Sequence, residues 1–244
     1  MKKHFFFDMD GTLTQSRAPI SDDMLGALQG LVSHPVSADV VIVSGASLEQ
    51  IDKQVGKVAN FCFKLAQNGN DAYSTGHEEL WRKTLPWDLK FWIFKWIYES
   101  LYYTCEMREW QTWPITNVED LVEDRGCQIS FSIIGHHAPI KEKRAFDPDH
   151  VKRKELLRDR PWTEPHILVA IGGTTCLDFY RRNKGMNVAT LMTEMKWKPE
   201  ECVYIGDALF EGGNDESVMG VIDCMDTSGP ENTIKIIEDI LKEI

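Results

Sequence analysis

A chain of 244 residues with 43% hydrophobic residues is long enough to bury a sizeable core in one large or two modest domains. Its formal net charge of −11 argues against a nucleic-acid partner, which needs a face of clustered cations, yet allows an anionic substrate held by a metal ion and a few local cations. Six scattered cysteines without a CxxC pair predict neither a zinc knuckle nor a disulfide framework, but reduced thiols in a cytoplasmic protein.

Residues 4–10 (HFFFDMD) predict a buried strand; the aspartates end the apolar run too early for a signal peptide. Residues 21–32 predict a helix capped by Ser21, with Met24, Leu25, Leu28, Leu31 and Val32 on one face. Residues 38–45 predict a second strand, 47–56 a helix from Ser47 to Gly56, and 60–69 a strand and turn.

The text then changes. Six of the eight tryptophans fall between Trp81 and Trp113, which predicts the packed core of a second domain. The most apolar run there, residues 89–103, is broken by Lys90, Lys95 and Glu99 and is too short to span a bilayer, so no membrane partner is expected. Period-two alternation over residues 128–132 predicts a half-exposed antiparallel strand. Residues 147–160 predict a polar helix, with Lys152, Arg153, Lys154, Arg158 and Arg160 on a solvated face. Residues 164–173 and 174–182 predict two more strands. After them the first pattern returns: a helix over 184–196, strands over 201–208 and 220–226, and a final helix with Pro230 at its start. Strands alternating with helices predict an α/β fold with a doubly wound parallel sheet, built from residues 1–78 and 184–244, with an inserted α+β cap over 79–183.

Ligands of such sheets bind at the carboxyl ends of the strands, and four groups fall there. Asp8 and Asp10 flank the end of the first strand, with Gly11 permitting a tight turn and Thr12 beside it. One carboxylate can attack phosphorus while the other moves a proton. Ser44 and Gly45 end the second strand, where a hydroxyl and backbone amides can hold phosphate oxygens. Lys184 starts a helix and can offset negative charge on Asp8 and a phosphoryl group. Asp207 follows a strand, and Asp215 follows two glycines eight residues on; an all-oxygen set of this kind suits Mg²⁺.

DMDGT, a strand-end Ser, a helix-start Lys and GDALFEGGND resemble the four motifs of the haloacid dehalogenase-like phosphotransferases. With DGTLT followed by Arg17, a turn at Ser132-Ile133-Ile134-Gly135 and GGND in the last motif, the chain is similar to the phosphomannomutase branch over nearly its full length. That resemblance implies a Rossmann-like core, an aspartyl-phosphate on Asp8, and Asp10 as general acid/base with its carbonyl on Mg²⁺. It implies a phosphoryl site of Thr12, Ser44, Gly45 and Lys184, metal binding by Asp8, Asp10, Asp207 and Asp215, and pairing of two copies through their caps. It also implies that Arg17, Arg125, His136, Lys143 and Asp178 meet a phosphorylated sugar. The chain departs from the branch at His136-His137, where an arginine is expected, at Cys176-Leu177-Asp178 in place of Ser-x-Asp, and at Arg181-Arg182-Asn183-Lys184 in place of Gly-Trp-Asp-Lys. A histidine offers less to a second phosphate than the arginine fork, which favours a sugar-phosphate phosphatase over a mutase. A catalytically silent sugar-phosphate binder is the third reading, and the intact four motifs count against it.

Overall fold

The computed structural model of the chain describes residues 2–35, 38–110 and 118–244. It forms two compact units, Met1–Arg82 with Arg182–Ile244, and Lys83–Arg181.

The first unit begins with strand β1 (His4–Asp8), helix α1 (Asp22–Val32), strand β2 (Asp39–Val43), helix α2 (Leu48–Val55) and strand β3 (Phe63–Ala66). Ser21 and Ser47 cap the two helices by accepting the N–H of Met24 and Gln50, and Gly56 ends α2 with φ +70°, as the sequence predicts. Two short strands that the sequence reading does not separate follow: β4 (Asp71–Tyr73) and β5 (Glu79–Arg82). Both pair antiparallel on the edge beyond β3, so the sheet is mixed, and residues 79–82 extend it rather than the inserted segment.

The second unit contains helix α3 (Trp87–Tyr102), strands β6 (Val122–Asp124) and β7 (Gln128–Ser132), helices α4 (Ile140–Phe146) and α5 (Val151–Asp159), and strands β8 (Leu168–Gly172) and β9 (Cys176–Tyr180). Its antiparallel sheet runs β6-β7-β9-β8. Two expectations fail here. Strand β7 is buried on both faces: Ile129 and Phe131 enter the apolar core, while Gln128, Ser130 and Ser132 are buried as well, Ser130 donating to Asp178 and Ser132 sharing a hydrogen bond with Thr175. On α5, Arg153 is not solvated but fully buried; its guanidinium pairs with Asp147 at 2.8 Å and donates to the carbonyls of Gly172, Gly173 and Cys176, tying the β8–β9 turn to the helix. Helix α3 divides its aromatic text: Ile93, Trp96 and Ile97 are buried, whereas Trp87, Phe91, Trp92, Tyr98 and Tyr102 are exposed. Trp113 lies outside the described residues.

Helix α6 (Lys184–Met195), strands β10 (Cys202–Gly206) and β11 (Asp223–Asp226) and helix α7 (Pro230–Glu243) complete the first unit. Its sheet order is β11-β10-β1-β2-β3-β4-β5, parallel from β11 to β3. β1 is the topological switch point, with β2 leaving on one side and β10 on the other. Its three phenylalanines explain its rigidity. Phe5 and Phe7 enter the core with residues of α1, α2 and α7, and Phe6 enters the opposite core with residues of α6. Each buried ring stabilises the unit by about 1.5–3 kcal/mol. Among the described residues no helix is long and apolar enough to cross a membrane.

Candidate active site

Register brings the first unit's motif residues to one edge. Asp8 is level with Val43, so Ser44 follows beside it; Phe7 is level with Ile205, so Gly206 and then Asp207 come next on the other side. Beyond Asp8 the chain curls back on itself. The N–H groups of Thr12, Leu13 and Thr14 all donate to the Met9 carbonyl, and Gly11 donates to Thr14. Gly11 has φ +90°, and a Cβ there would stand 2.3 Å from Asp207 Oδ2, so glycine is required both by backbone and by space.

Lys184 sets the electrostatics. Its ammonium is 1% exposed and lies 2.5 Å from Asp8 Oδ1 and 2.7 Å from Asp215 Oδ1. The first turn of α6 is fixed to place it: Asn183 caps the helix by accepting the Met186 N–H, and Gly185 donates to Ser217 Oγ. A Cβ on Gly185 would meet the Ser217 carbonyl oxygen at 1.8 Å, which is why Gly follows Lys. Carboxylate oxygens of Asp8, Asp207 and Asp215 lie within 4.8 Å of one another. Burial pushes the Asp8 carboxyl well above its ordinary range, the charges of Asp215 and Asp207 push the same way, and Lys184 opposes them. Asp207 is raised by burial and by Asp215. Burial disfavours the charged Lys184, but Asp215 and Asp8 outweigh it and hold the ammonium protonated.

Asp8 Oδ2 and Asp215 Oδ2 are both buried without a protein partner. Two orphaned carboxylate oxygens, a third carboxylate close by and a single ammonium form a hard-oxygen set with surplus negative charge. These residues fit a divalent cation such as Mg²⁺. The Asp10 carboxylate stands apart from that trio and accepts the Arg17 N–H at 2.8 Å. Arg17 itself adopts φ 58° and leaves its side chain exposed. Thr12 is buried, with Oγ1 3.5 Å from Asp207 Oδ1. Ser44 is buried and its Oγ accepts the Ala46 N–H, which bends the chain through Gly45.

Tyr204 is the partner that sequence reasoning misses. Its hydroxyl donates to Asp215 Oδ1 at 2.7 Å, sharing that oxygen with Lys184. The signal was a phenol on a strand buried on both faces, where an O–H must find an acceptor. Asn187 is a second: its amide donates to the Asn68 carbonyl and joins α6 to the turn after β3.

In the second unit, Arg125, His136 and Asp178 gather on the polar face of the sheet. Arg125 pairs with Glu123 and lies in the field of Asp178 and Cys176. Asp178 accepts Ser130 Oγ at 2.6 Å, and a Cβ on Gly172 would fall 2.0 Å from Asp178 Oδ2. His136 is buried and faces the Ser130 carbonyl, Glu123 and Cys176. Lys143 is also buried and donates to the His136 carbonyl.

Comparison with known proteins gives this geometry its family. The chain is 26% identical to a phosphomannomutase of Encephalitozoon cuniculi over 263 residues, covering 100% of this chain and 95% of the relative. It is 27% identical to a phosphomannomutase of Spinacia oleracea, covering 96% and 94%. Among solved structures, a haloacid dehalogenase-like hydrolase from Bacteroides thetaiotaomicron superposes with a TM-score of 0.62 at 15% identity, covering 98% of this chain and all of that one. The Plasmodium falciparum IMP-nucleotidase reaches 0.69 at 14% identity, covering 100% of this chain and 68% of that one. This likeness extends over nearly the whole chain and bears on its fold. The family model for haloacid dehalogenase-like hydrolases matches residues 5–219. The chain therefore belongs to the haloacid dehalogenase-like hydrolases and is an enzyme of phosphatase or phosphotransferase type.

Proposed function

We propose that the enzyme removes the phosphoryl group of a phosphorylated sugar through an aspartyl-phosphate on Asp8, with Mg²⁺ as cofactor. The observation that carries this reading is the buried Lys184 ammonium bridging Asp8 and Asp215 at the end of the switch-point strand. A carboxylate so placed can attack phosphorus while the ammonium offsets the charge that gathers there. An Asp8 oxygen forms the new bond to phosphorus, the bond from phosphorus to the sugar oxygen breaks, and Asp10 gives that oxygen its proton. In the second step Asp10 takes a proton from water as the water oxygen bonds to phosphorus, the bond from phosphorus to the Asp8 oxygen breaks, and inorganic phosphate leaves with the Asp8 carboxylate restored. Thr12, Ser44 and Gly45 hold phosphoryl oxygens. Mg²⁺ would be held by Asp8, Asp207 and the Asp10 carbonyl, with Asp215 in support, and would supply charge neutralisation at the phosphoryl group. Arg17, Arg125, His136 and Asp178 are assigned to the sugar phosphate, with Lys143 holding His136. Six scattered cysteines without a CxxC pair suit a reducing cytoplasm, and the exposed aromatics of α3 suit pairing of two copies.

The relatives' names favour a second reading, interconversion of hexose 1- and 6-phosphates. His136 weighs against it, since an imidazole ring offers a second phosphate fewer donors than a guanidinium fork. The deciding experiment supplies Mg²⁺ and mannose 1-phosphate or glucose 1-phosphate, with and without a trace of the 1,6-bisphosphate, and follows free phosphate and hexose 6-phosphate. Free phosphate alone supports the phosphatase; hexose 6-phosphate with little free phosphate overturns it for the mutase. If both products stay absent over a broad panel of phosphate esters, the proposal fails.

A further inference from the structure

The polar face of the second unit's sheet carries a thiol that phosphoryl transfer does not use. Cys176 opens β9, is partly exposed, and places Sγ 3.9 Å from His136 Nδ1. The other ring nitrogen fixes the tautomer. His136 Nε2 stands 3.2 Å from the Ser130 carbonyl, which only accepts, so Nε2 carries the proton and the neutral ring turns its Nδ1 lone pair toward the sulfur. Glu123 Oε1 lies 3.6 Å from the same Nδ1, ready to stabilise the imidazolium formed when the thiol proton moves. The ring cannot swing away: its side chain is fully enclosed, the His136 N–H donates to Asp120 at 2.6 Å, and Lys143 donates to the His136 carbonyl.

The surrounding charges act in both directions. Arg125 on the β6 side adds a second cation beside the sulfur. Asp178 on the same strand opposes the thiolate, tempered by the Ser130 hydroxyl that it accepts. Asp120 faces His136 from before β6, and from α5 Arg153 donates to the Cys176 carbonyl at 3.2 Å. Burial disfavours the charged forms of both partners, yet the pairing prevails: the Cys176 thiol is lowered and the His136 imidazolium raised. At Cys62 and Cys202 burial dominates instead, pushing the first thiol up to about 12 and the second up to about 11.

We propose that Cys176 and His136 form a thiolate–imidazolium pair and that Cys176 is a site of thiol–disulfide exchange with small anionic disulfides. The Cys176 proton passes to His136 Nδ1. The thiolate attacks one sulfur of the disulfide, a new S–S bond forms, the old one breaks, and the departing thiolate takes the proton back from His136. Arg125 and the imidazolium favour an anionic disulfide over a neutral or cationic one. A mixed disulfide would stand beside Arg125 and Asp178 and lower turnover reversibly; that consequence alone rests on the proposed function.

The test uses the full wild-type chain and 5,5′-dithiobis(2-nitrobenzoate), a dianionic disulfide. Labelling of each cysteine is followed by mass spectrometry from pH 5.5 to 9. At pH 6.5 Cys176 should react about tenfold faster than the partly exposed Cys105 and Cys224, because its larger thiolate fraction outweighs its lower intrinsic nucleophilicity. Its rate should rise less steeply with pH than that of Cys105 or Cys224, and His136→Asn should restore the steep rise of an ordinary thiol. A wild-type Cys176 rate that climbs through pH 8.5 like a free thiol overturns the proposal without reference to any variant. Because the readout is labelling, failure here leaves the phosphatase reading standing, and an inactive enzyme with a fast Cys176 leaves this inference standing.

Discussion

Replacing Asp8 with Asn separates what the acidic cluster costs from what it does. At 4.8 Å, the upper limit of separation among the three carboxylates, and an effective dielectric of about 20, a like-charge pair costs ~3.5 kcal/mol. Asp8 has two such neighbours, for a repulsion of ~7 kcal/mol, while Lys184 at 2.5 Å returns an attraction of similar size. The two cancel, and the desolvation of a carboxylate that is 3% exposed is left without compensation. An isosteric neutral amide keeps an acceptor for Lys184 and sheds that cost. Metal-free Asp8→Asn protein should therefore melt no lower than wild type, and up to a few degrees higher, in a thermal scan at pH 7.5. Added Mg²⁺ should raise the wild-type melting temperature more than the variant's, since a ligand stabilises only the state it binds. Turnover should fall on the order of 10⁴-fold or more, the scale seen when a nucleophile is removed. A variant that loses more than about 2 kcal/mol of stability, or that keeps one per cent of wild-type turnover, refutes this reasoning.

Tyr204→Phe removes one of two donors to Asp215 Oδ1 and should cost about 1.5–3 kcal/mol by denaturant unfolding, the range for a hydrogen bond to a charged group; an unchanged midpoint would show that the phenol is dispensable. Arg153→Ala should cost about 3–5 kcal/mol because it leaves the buried Asp147 carboxylate without a counter-charge, and Arg153→Lys should recover little of that, since one ammonium cannot serve Asp147 and the three carbonyls together as Nε and Nη1 do. The Asp120 carboxylate is held below its ordinary range: burial opposes this, but the His137 backbone N–H at 2.8 Å and ring Nδ1 at 2.7 Å outweigh it. A depressed folded-state pKa gives stability that is present above about pH 4 and lost as pH falls through the folded value. The stability gap between wild type and Asp120→Asn should be open at pH 6 and narrow as pH falls below the ordinary carboxylate range; a gap independent of pH would contradict the assignment.

Much of the first unit was legible because its signals are local. A run of three phenylalanines marks a strand buried on both faces, Ser21 and Ser47 mark helix starts, and the two aspartates after Phe7 mark the strand end. Lys184 carries little meaning by itself, and only its order between the other motifs pointed to the site that the structure builds around it. What stayed hidden depends on distant partners. Arg153 reads as one more surface cation until Asp147 and the β8–β9 turn close around it. The alternation of β7 reads as one wet face, but Asp178 and Thr175 arrive from 43 or more residues away to satisfy its serines. β4 and β5 are too short to announce themselves as strands, and only the hydrogen bonding of β4 to β3 and of β5 to β4 makes them part of the sheet.

The most direct test of the central claim is to trap the covalent intermediate. Enzyme with Mg²⁺ would be mixed briefly with hexose 1-phosphate carrying a radioactive phosphoryl group and quenched in acid. The digested peptides would then be mapped for hydroxylamine-sensitive label. The account predicts label on the peptide containing Asp8 and none in Asp8→Asn. Turnover that continues with Asp8 unlabelled, or label on another residue, would contradict it.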